Sequence, residues 1–248
     1  MKKILSLILI LVLSLSFSLY AEDKIKVYYT VEQLPDPIQF MPAPPDTLSE
    51  QFSHDIMRYF WGKQQRLNPE RVAQARLDAI WTYEGLAAQF SHAFGLEISK
   101  EGTPEIWAAF TSGIETAASV RKPIKAYYHR VRPFVRFHEH ILTYQAEEDE
   151  AELAGEGSYP SGHSMRGWLA ALLLSEINPD NANALYKRGL DYGESRVIVG
   201  AHWQSDIEAS RIIAGASYTA LHNSPDFRKQ MEKAKAEYKK LTSKKEGK

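Results

Sequence analysis

The chain has 248 residues, 30 basic and 31 acidic, with 44% hydrophobic and 11% aromatic residues. That composition excludes a disordered chain, a collagen-like repeat and a polytopic membrane protein, and a formal charge of −1 gives no bulk electrostatic case for a nucleic-acid partner. Cysteine is absent, which excludes disulfides, thiolate metal sites and thiol nucleophiles.

Lys2 and Lys3 precede an uncharged, Leu/Ile/Val/Ser-rich stretch running to Ala21. A basic start followed by an apolar core reads as a secretory signal peptide over residues 1–21, which implies export; an uncleaved anchor is the alternative. Cleavage there removes two lysines and leaves a charge of −3 on 227 residues. Residues 22–46 form an extended arm, with five prolines between Leu34 and Pro45. Residues 47–241 read as one helical domain, and residues 242–248 as a Lys-rich tail. Nine basic and three acidic residues lie from Arg228 onward, as expected of a solvated amphipathic helix.

Within the domain, Thr47 and Glu50 suggest a capping box opening a helix through Phe60. Asn68-Pro69 opens a second, periodic to Gly95. Thr103-Pro104-Glu105 opens a third, which Pro123 interrupts or restarts. A strongly apolar helix is expected over Gly162–Ile177, another from Pro179 to about Arg196, another from His202 to about Leu221, and a last from Ser224-Pro225 to near Leu241. The acidic run Glu147–Glu152 reads as mobile and solvated. No sustained period-2 alternation occurs, so the expected fold is all-α, a single globule of about seven to nine helices.

Three stretches carry chemistry. In Lys125-Ala-Tyr-Tyr-His-Arg-Val-Arg132-Pro133, the two outer cations are seven apart and share a face if the helix persists. In Pro160-Ser161-Gly162-His163, a Ser and a Gly stand at a helix N-terminus, where free N–H groups favour an anion. His163 there can exchange a proton with a bound group. In Ser195-Arg196, five residues, then His202-Trp-Gln-Ser-Asp206, the His and Asp are neighbours at i and i+4. The carboxylate can fix the imidazole tautomer and free the other nitrogen as a nucleophile. Arg196 offers a planar fork that matches phosphate oxygens. Each stretch alone also reads as an ordinary surface or cap feature. Together they suit phosphoryl transfer, which spreads charge over three equatorial oxygens, better than acyl transfer. No carboxylate cluster at metal-ligand spacing is visible, and His138 and His140 around Glu139 make too small a set, so chemistry without a metal or other cofactor is expected.

In this order the three stretches resemble the acid phosphatase and vanadium haloperoxidase superfamily, also called the type-2 phosphatidic acid phosphatase group, with every fixed position of its pattern filled. The chain is most similar to the secreted bacterial class A nonspecific acid phosphatases, through Gly157-Ser158-Tyr159, Glu176-Ile177-Asn178-Pro179, the His202–Asp206 segment and the arm Phe40–Pro45. It departs from them in lacking cysteines for a disulfide and in carrying Ser164 where Thr is usual.

The resemblance implies a periplasmic or secreted phosphomonoesterase. In it His202 forms a phosphohistidine, Asp206 orients His202, and His163 is the general acid and then base. Lys125, Arg132, Ser161, Gly162 and Arg196 bind the phosphate oxygens. It also implies an acidic optimum, inhibition by vanadate, phosphotransfer to alcohols as a side activity, and homodimers or larger homo-oligomers. A vanadate-dependent haloperoxidase and a non-catalytic phosphate-binding envelope protein are the competing readings. A lipid phosphatase of the group would need membrane spans that this sequence lacks. Substrate choice is expected from a rim near Tyr83, Phe90 and the Phe134–Gly155 connection.

Overall fold

The computed structural model describes residues 24–246, and the side chains of 24–243. The signal-peptide reading therefore falls outside the described residues. Among these the structure is all-helical, with eleven α-helices, more than expected, and no strand. They are α1 Glu50–Gln65, α2 Pro69–Leu77, α3 Tyr83–Phe94, α4 Pro104–Ala118, α5 Arg121–Tyr128, α6 Pro133–Phe137, α7 Ala146–Ala154, α8 Gly162–Ile177, α9 Ala182–Ile198, α10 Gln204–Leu221 and α11 Pro225–Glu246. No helix among the described residues is long and apolar enough to cross a membrane.

The surplus has local causes. The periodic stretch from Asn68 to Gly95 breaks in two, because α2 ends at Asp78 and Thr82 caps a new helix by accepting from the Gly85 amide. Ser49, not Thr47, caps α1 by accepting from the Phe52 amide, and α1 runs on past Phe60 to Gln65. The acidic run is a helix, α7. Its first-turn residues Glu147, Glu148 and Asp149 complement the positive dipole end, and Glu150 ties it down by accepting from the Ile141 amide at 2.7 Å. The tail continues α11 to Glu246 instead of ending the helix near Leu241.

Helix α8 is the axle. Its apolar residues are spread around the whole circumference, so it has no solvent face, and Met165, Leu169, Leu173, Leu174 and Ile177 are buried. Helices α3, α4, α9, α10 and α11 pack around it. Phe110 and Ile114 of α4 and Ile213 of α10 are fully buried in the same core, each contributing roughly 1.5–3 kcal/mol of burial. Close approach of α8 and α9 requires Gly167, where a Cβ would lie 2.4 Å from the ring of Tyr192. The arm runs across the surface, with Leu34 buried, Tyr28 N–H donating to Thr116 and Tyr159 O–H donating to the Pro42 carbonyl at 2.9 Å. The N-terminus of the most buried helix thus points at the place where the three sequence motifs meet.

Candidate active site

A cavity of about 320 Å³ opens at the N-terminus of α8, large enough for a small phosphate ester. Lys125, Arg132, Gly162, His163, Arg196 and His202 all line it. Ser161 and Asp206 are fully buried one layer behind. All eight residues singled out from the sequence are therefore brought to one place.

The first motif arrives by a turn, not along one helical face. Helix α5 ends at Tyr128, and His129 takes a left-handed conformation (φ 43°). Arg132 is already the extended N-cap residue of α6, because Pro133 disfavours helical geometry before it. The two cations meet on the Gly157 carbonyl, to which Lys125 Nζ donates at 2.6 Å and Arg132 Nη2 at 3.4 Å. Both also reach the Glu156 carboxylate, at 3.5 and 3.2 Å. Arg132 further donates from Nε to the Leu153 and Glu156 carbonyls, at 2.9 and 3.0 Å, and from Nη1 to the Ala201 carbonyl at 3.1 Å. Burial, reinforced by Arg132, pushes the Lys125 ammonium down to about 8, against the opposing pull of Glu156.

The second and third motifs are stitched together. Ser161 caps α8, its hydroxyl accepting from the Ser164 amide at 3.3 Å and the Ser164 hydroxyl at 2.9 Å. Ser161 N–H donates to the Asp206 carbonyl, and Ser210 Oγ donates to the Ser161 carbonyl at 2.8 Å. Ser164 thus keeps the hydroxyl that a Thr would supply. At Gly162 a Cβ would lie 3.2 Å from Arg121 Cδ and 3.3 Å from Trp81, so glycine keeps this wall open.

His202 is not on a helix. It precedes α10, whose N-cap is Trp203 and whose third residue is Asp206. The expected pair still forms, with Nδ1–H donating to Asp206 Oδ2 at 3.2 Å while the same oxygen accepts from the Trp203 amide at 2.9 Å. Trp203 is wedged against Phe52, Tyr59 and Phe137, and its Nε1–H donates to the Val131 carbonyl at 2.8 Å. Those contacts fix the backbone beside His202. Its Nε2 faces the cavity cations and accepts from Arg132 Nη1 at 3.0 Å. Burial, then Arg132, Lys125 and Arg196, holds this imidazole well below its ordinary value and therefore neutral.

His163 packs against Trp81, ring centroids 4.5 Å apart, and its Nε2–H donates to the Ala79 carbonyl at 3.0 Å. That leaves Nδ1 as the nitrogen that exchanges a proton. Burial, then Arg196 and Arg166, lowers its affinity for a proton in the unliganded site. Arg196 is 2% exposed, and its Nε and Nη1 have no partner among the described residues. Two buried guanidinium donors facing a cavity are the mark of an anion site, since leaving them unbonded is costly.

Sequence reasoning missed several supports. Arg130, inside the first motif, donates to Asp206 Oδ1 at 2.5 Å and to Asp55 Oδ2 at 2.6 Å. Asp55 also accepts from the Ser205 amide at 2.8 Å. Asp206 therefore sits between His202 and a buried Arg–Asp pair. Arg130 had a signal, a third cation within the motif, whereas Asp55 on α1 had none. Ser195 supports Arg196 from behind, donating to the buried Asp78 carboxylate at 2.6 Å. The rim matches expectation in part: the Phe134–Gly155 connection supplies Asp149, Glu152 and Leu153, whereas the two aromatic residues are placed elsewhere. Phe90 is fully buried in the core against Tyr192, and Tyr83 is occupied with Glu115. The rest of the lining comes from Trp81, Arg121 and Lys122 together with Asp149, Glu152, Leu153 and Glu156. Glu139 bonds Tyr59 and Lys63, and His140 bonds Glu150, so these residues serve the scaffold.

A histidine–aspartate pair, a second histidine and buried cations on a helical frame define a phosphate-handling centre. The chain belongs to the PAP2 superfamily, whose family model matches residues 106–230 and so spans all three motifs. It is 42% identical over 215 residues to the non-specific acid phosphatase of Providencia stuartii, covering 86% of this chain and 85% of that protein. It is 36% identical over 220 residues to the non-specific acid phosphatase of Salmonella typhimurium, covering 87% and 85%. With the acid phosphatase of Zymomonas mobilis it shares 34% over 205 residues, covering 83% and 76%.

Proposed function

We propose that this protein is an acid phosphatase that hydrolyses phosphate monoesters through a phosphohistidine at His202. The observation that carries the reading is His202 itself, buried, bonded to Asp206 through Nδ1, and offering Nε2 to a cavity lined by Lys125, Arg132 and Arg196. The Nε2 lone pair attacks phosphorus, and the bond from phosphorus to the ester oxygen breaks. His163 Nδ1–H gives its proton to the departing alcohol. Asp206 balances the positive charge that His202 acquires. His163 then takes a proton from water, whose oxygen attacks phosphorus, and the P–N bond breaks to release phosphate. Lys125, Arg132, Arg196 and the N–H groups at Gly162 hold the equatorial oxygens as their charge grows. Ser161 keeps the α8 N-terminus aimed at them.

The pH dependence follows from opposite needs. The nucleophile must be neutral, which burial and the neighbouring cations Arg132, Lys125 and Arg196 favour. The acid must be protonated, which low pH and a bound phosphate dianion both favour. An alcohol in place of water would give phosphotransfer from the same intermediate. Vanadate, which adopts five-coordinate geometry, should inhibit. Residues 1–21 would direct export to the periplasm or beyond, where phosphomonoesters are the substrates.

The test is hydrolysis of an aryl phosphate by the mature protein, with and without a chelator. Turnover that survives chelation, stops with vanadate and falls by about four decades or more in His202→Ala is expected. Near-normal turnover by that variant would refute the nucleophile.

A further inference from the structure

Three carboxylates line the cavity, and they are not alike. Glu156 is engaged with Lys125 and Arg132. Asp149 and Glu152 line the cavity with no side-chain hydrogen bond or ion pair among the described residues. Both lie on α7, which has no buried residue and so forms part of the mouth, not the floor. His202, 2% exposed, is at the floor. In-line displacement by Nε2 sends the ester oxygen away from the floor, toward this mouth.

Charge counting gives the same direction. Five cations line the cavity, namely Arg121, Lys122, Lys125, Arg132 and Arg196, against three carboxylates. A phosphate dianion brings the lining to neutrality. Any further negative charge on the alcohol is then uncompensated and faces two carboxylates that feel Arg196 and Arg132 only at a distance, with no hydrogen bond or ion pair of their own among the described residues. A positive charge there meets two acceptors.

We propose that Asp149 and Glu152 are specificity residues for the leaving group, favouring phosphomonoesters whose alcohol carries an ammonium or no charge over those whose alcohol carries a carboxylate or a second phosphate. The inference rests on the phosphatase reading above and adds the chemical class of the alcohol.

The test is kcat/KM at pH 6 and low ionic strength for aminoethyl phosphate, glycerol phosphate and phosphoglycerate. Wild type is expected to prefer the ammonium ester over the carboxylated one by about tenfold or more, mostly through KM, the scale of two charges acting across partly screened solvent. Asp149→Asn with Glu152→Gln should bring that ratio within about threefold, and added salt should shrink it in wild type. Glu148→Gln, on the same helix but exposed and off the cavity, should keep the wild-type ratio. A wild-type ratio near one, a ratio unmoved by the double substitution, or an equal loss in Glu148→Gln would overturn charge selection while leaving the phosphatase intact. Failure of wild type to hydrolyse any of the three esters, the uncharged and ammonium ones included, would overturn the phosphatase reading and this inference with it.

Discussion

Arg130→Met tests how Asp206, the partner of His202, is held in place. The substitution keeps an unbranched chain of similar length and removes the charge. Arg130 is 7% exposed in its side chain, and its partners Asp55 and Asp206 are both 0% exposed. Without it, two buried carboxylates lose their shared cation, and Ser205 Oγ loses a donor at 2.8 Å. Removing one partner of a buried ion pair costs about 3–5 kcal/mol, a large part of a stability of about 5–15 kcal/mol. For a domain of this size that is a drop in Tm of about 6–20 °C. Thermal unfolding by circular dichroism at pH 7 measures it directly. Asp55→Asn in the same background removes one stranded carboxylate, so the double variant should be less destabilised than the two singles added, by about 0.5–3 kcal/mol. At a temperature where Arg130→Met is folded, its kcat should fall by about 10–100-fold, because Asp206 is held less firmly against His202. A Tm within about 2 °C of wild type would show that Arg130 is not what compensates the buried Asp55 and Asp206 carboxylates.

Other outcomes follow from the same geometry. Arg196→Lys keeps a charge but loses the planar fork whose two donors are unpartnered; kcat/KM for an aryl phosphate should fall about 10–100-fold, and wild-type kinetics would count against Arg196 as a phosphate ligand. His163 and His202 both have folded pKa values below that of the unfolded chain. The unfolded chain then binds more protons below about pH 6.5, so stability should fall as pH drops through that value. Saturating inorganic phosphate should offset the loss, and His202→Asn should flatten it, both readable as Tm against pH. With Lys125 pushed down to about 8, phosphate affinity should weaken as pH rises through that value, which inhibition by phosphate across pH 6–9.5 would show. Gly167→Ala presses a Cβ against Tyr192 and should cost about 1–3 kcal/mol of stability with little effect on kcat at permissive temperature.

The fold class and the three motifs that supply six of the cavity-lining residues are legible because they rest on local signals. The apolar run Gly162–Ile177 has the length of one core helix and is observed with those bounds. Pro104 and Pro225 mark helix starts that the structure keeps. Illegible were features set by tertiary contact. Nothing local says that the chain turns at His129 so that Lys125 and Arg132 meet on the Gly157 carbonyl. Asp55 is one acidic residue on an amphipathic helix until α1 docks beside α10 and aims it at Arg130. The run Glu147–Glu152 carries high charge, which favours solvation when read alone. In the fold, opposite charge in the cavity and the bonds from Arg132 and Ile141 give that segment a reason to be helical. Aromatic residues such as Phe90 serve both cores and pockets, and only packing separates the two.

The proposed mechanism requires a bond between phosphorus and His202 Nε2 during turnover. Rapid mixing with an aryl phosphate, followed by an alkaline quench that preserves phosphorus–nitrogen bonds, proteolysis and mass spectrometry, tests that directly. The expected result is a phosphoryl group on the peptide containing His202 during turnover, absent from His202→Asn. A phosphoryl group on the peptide containing His163, or a modified enzyme that persists in His202→Asn, would contradict it.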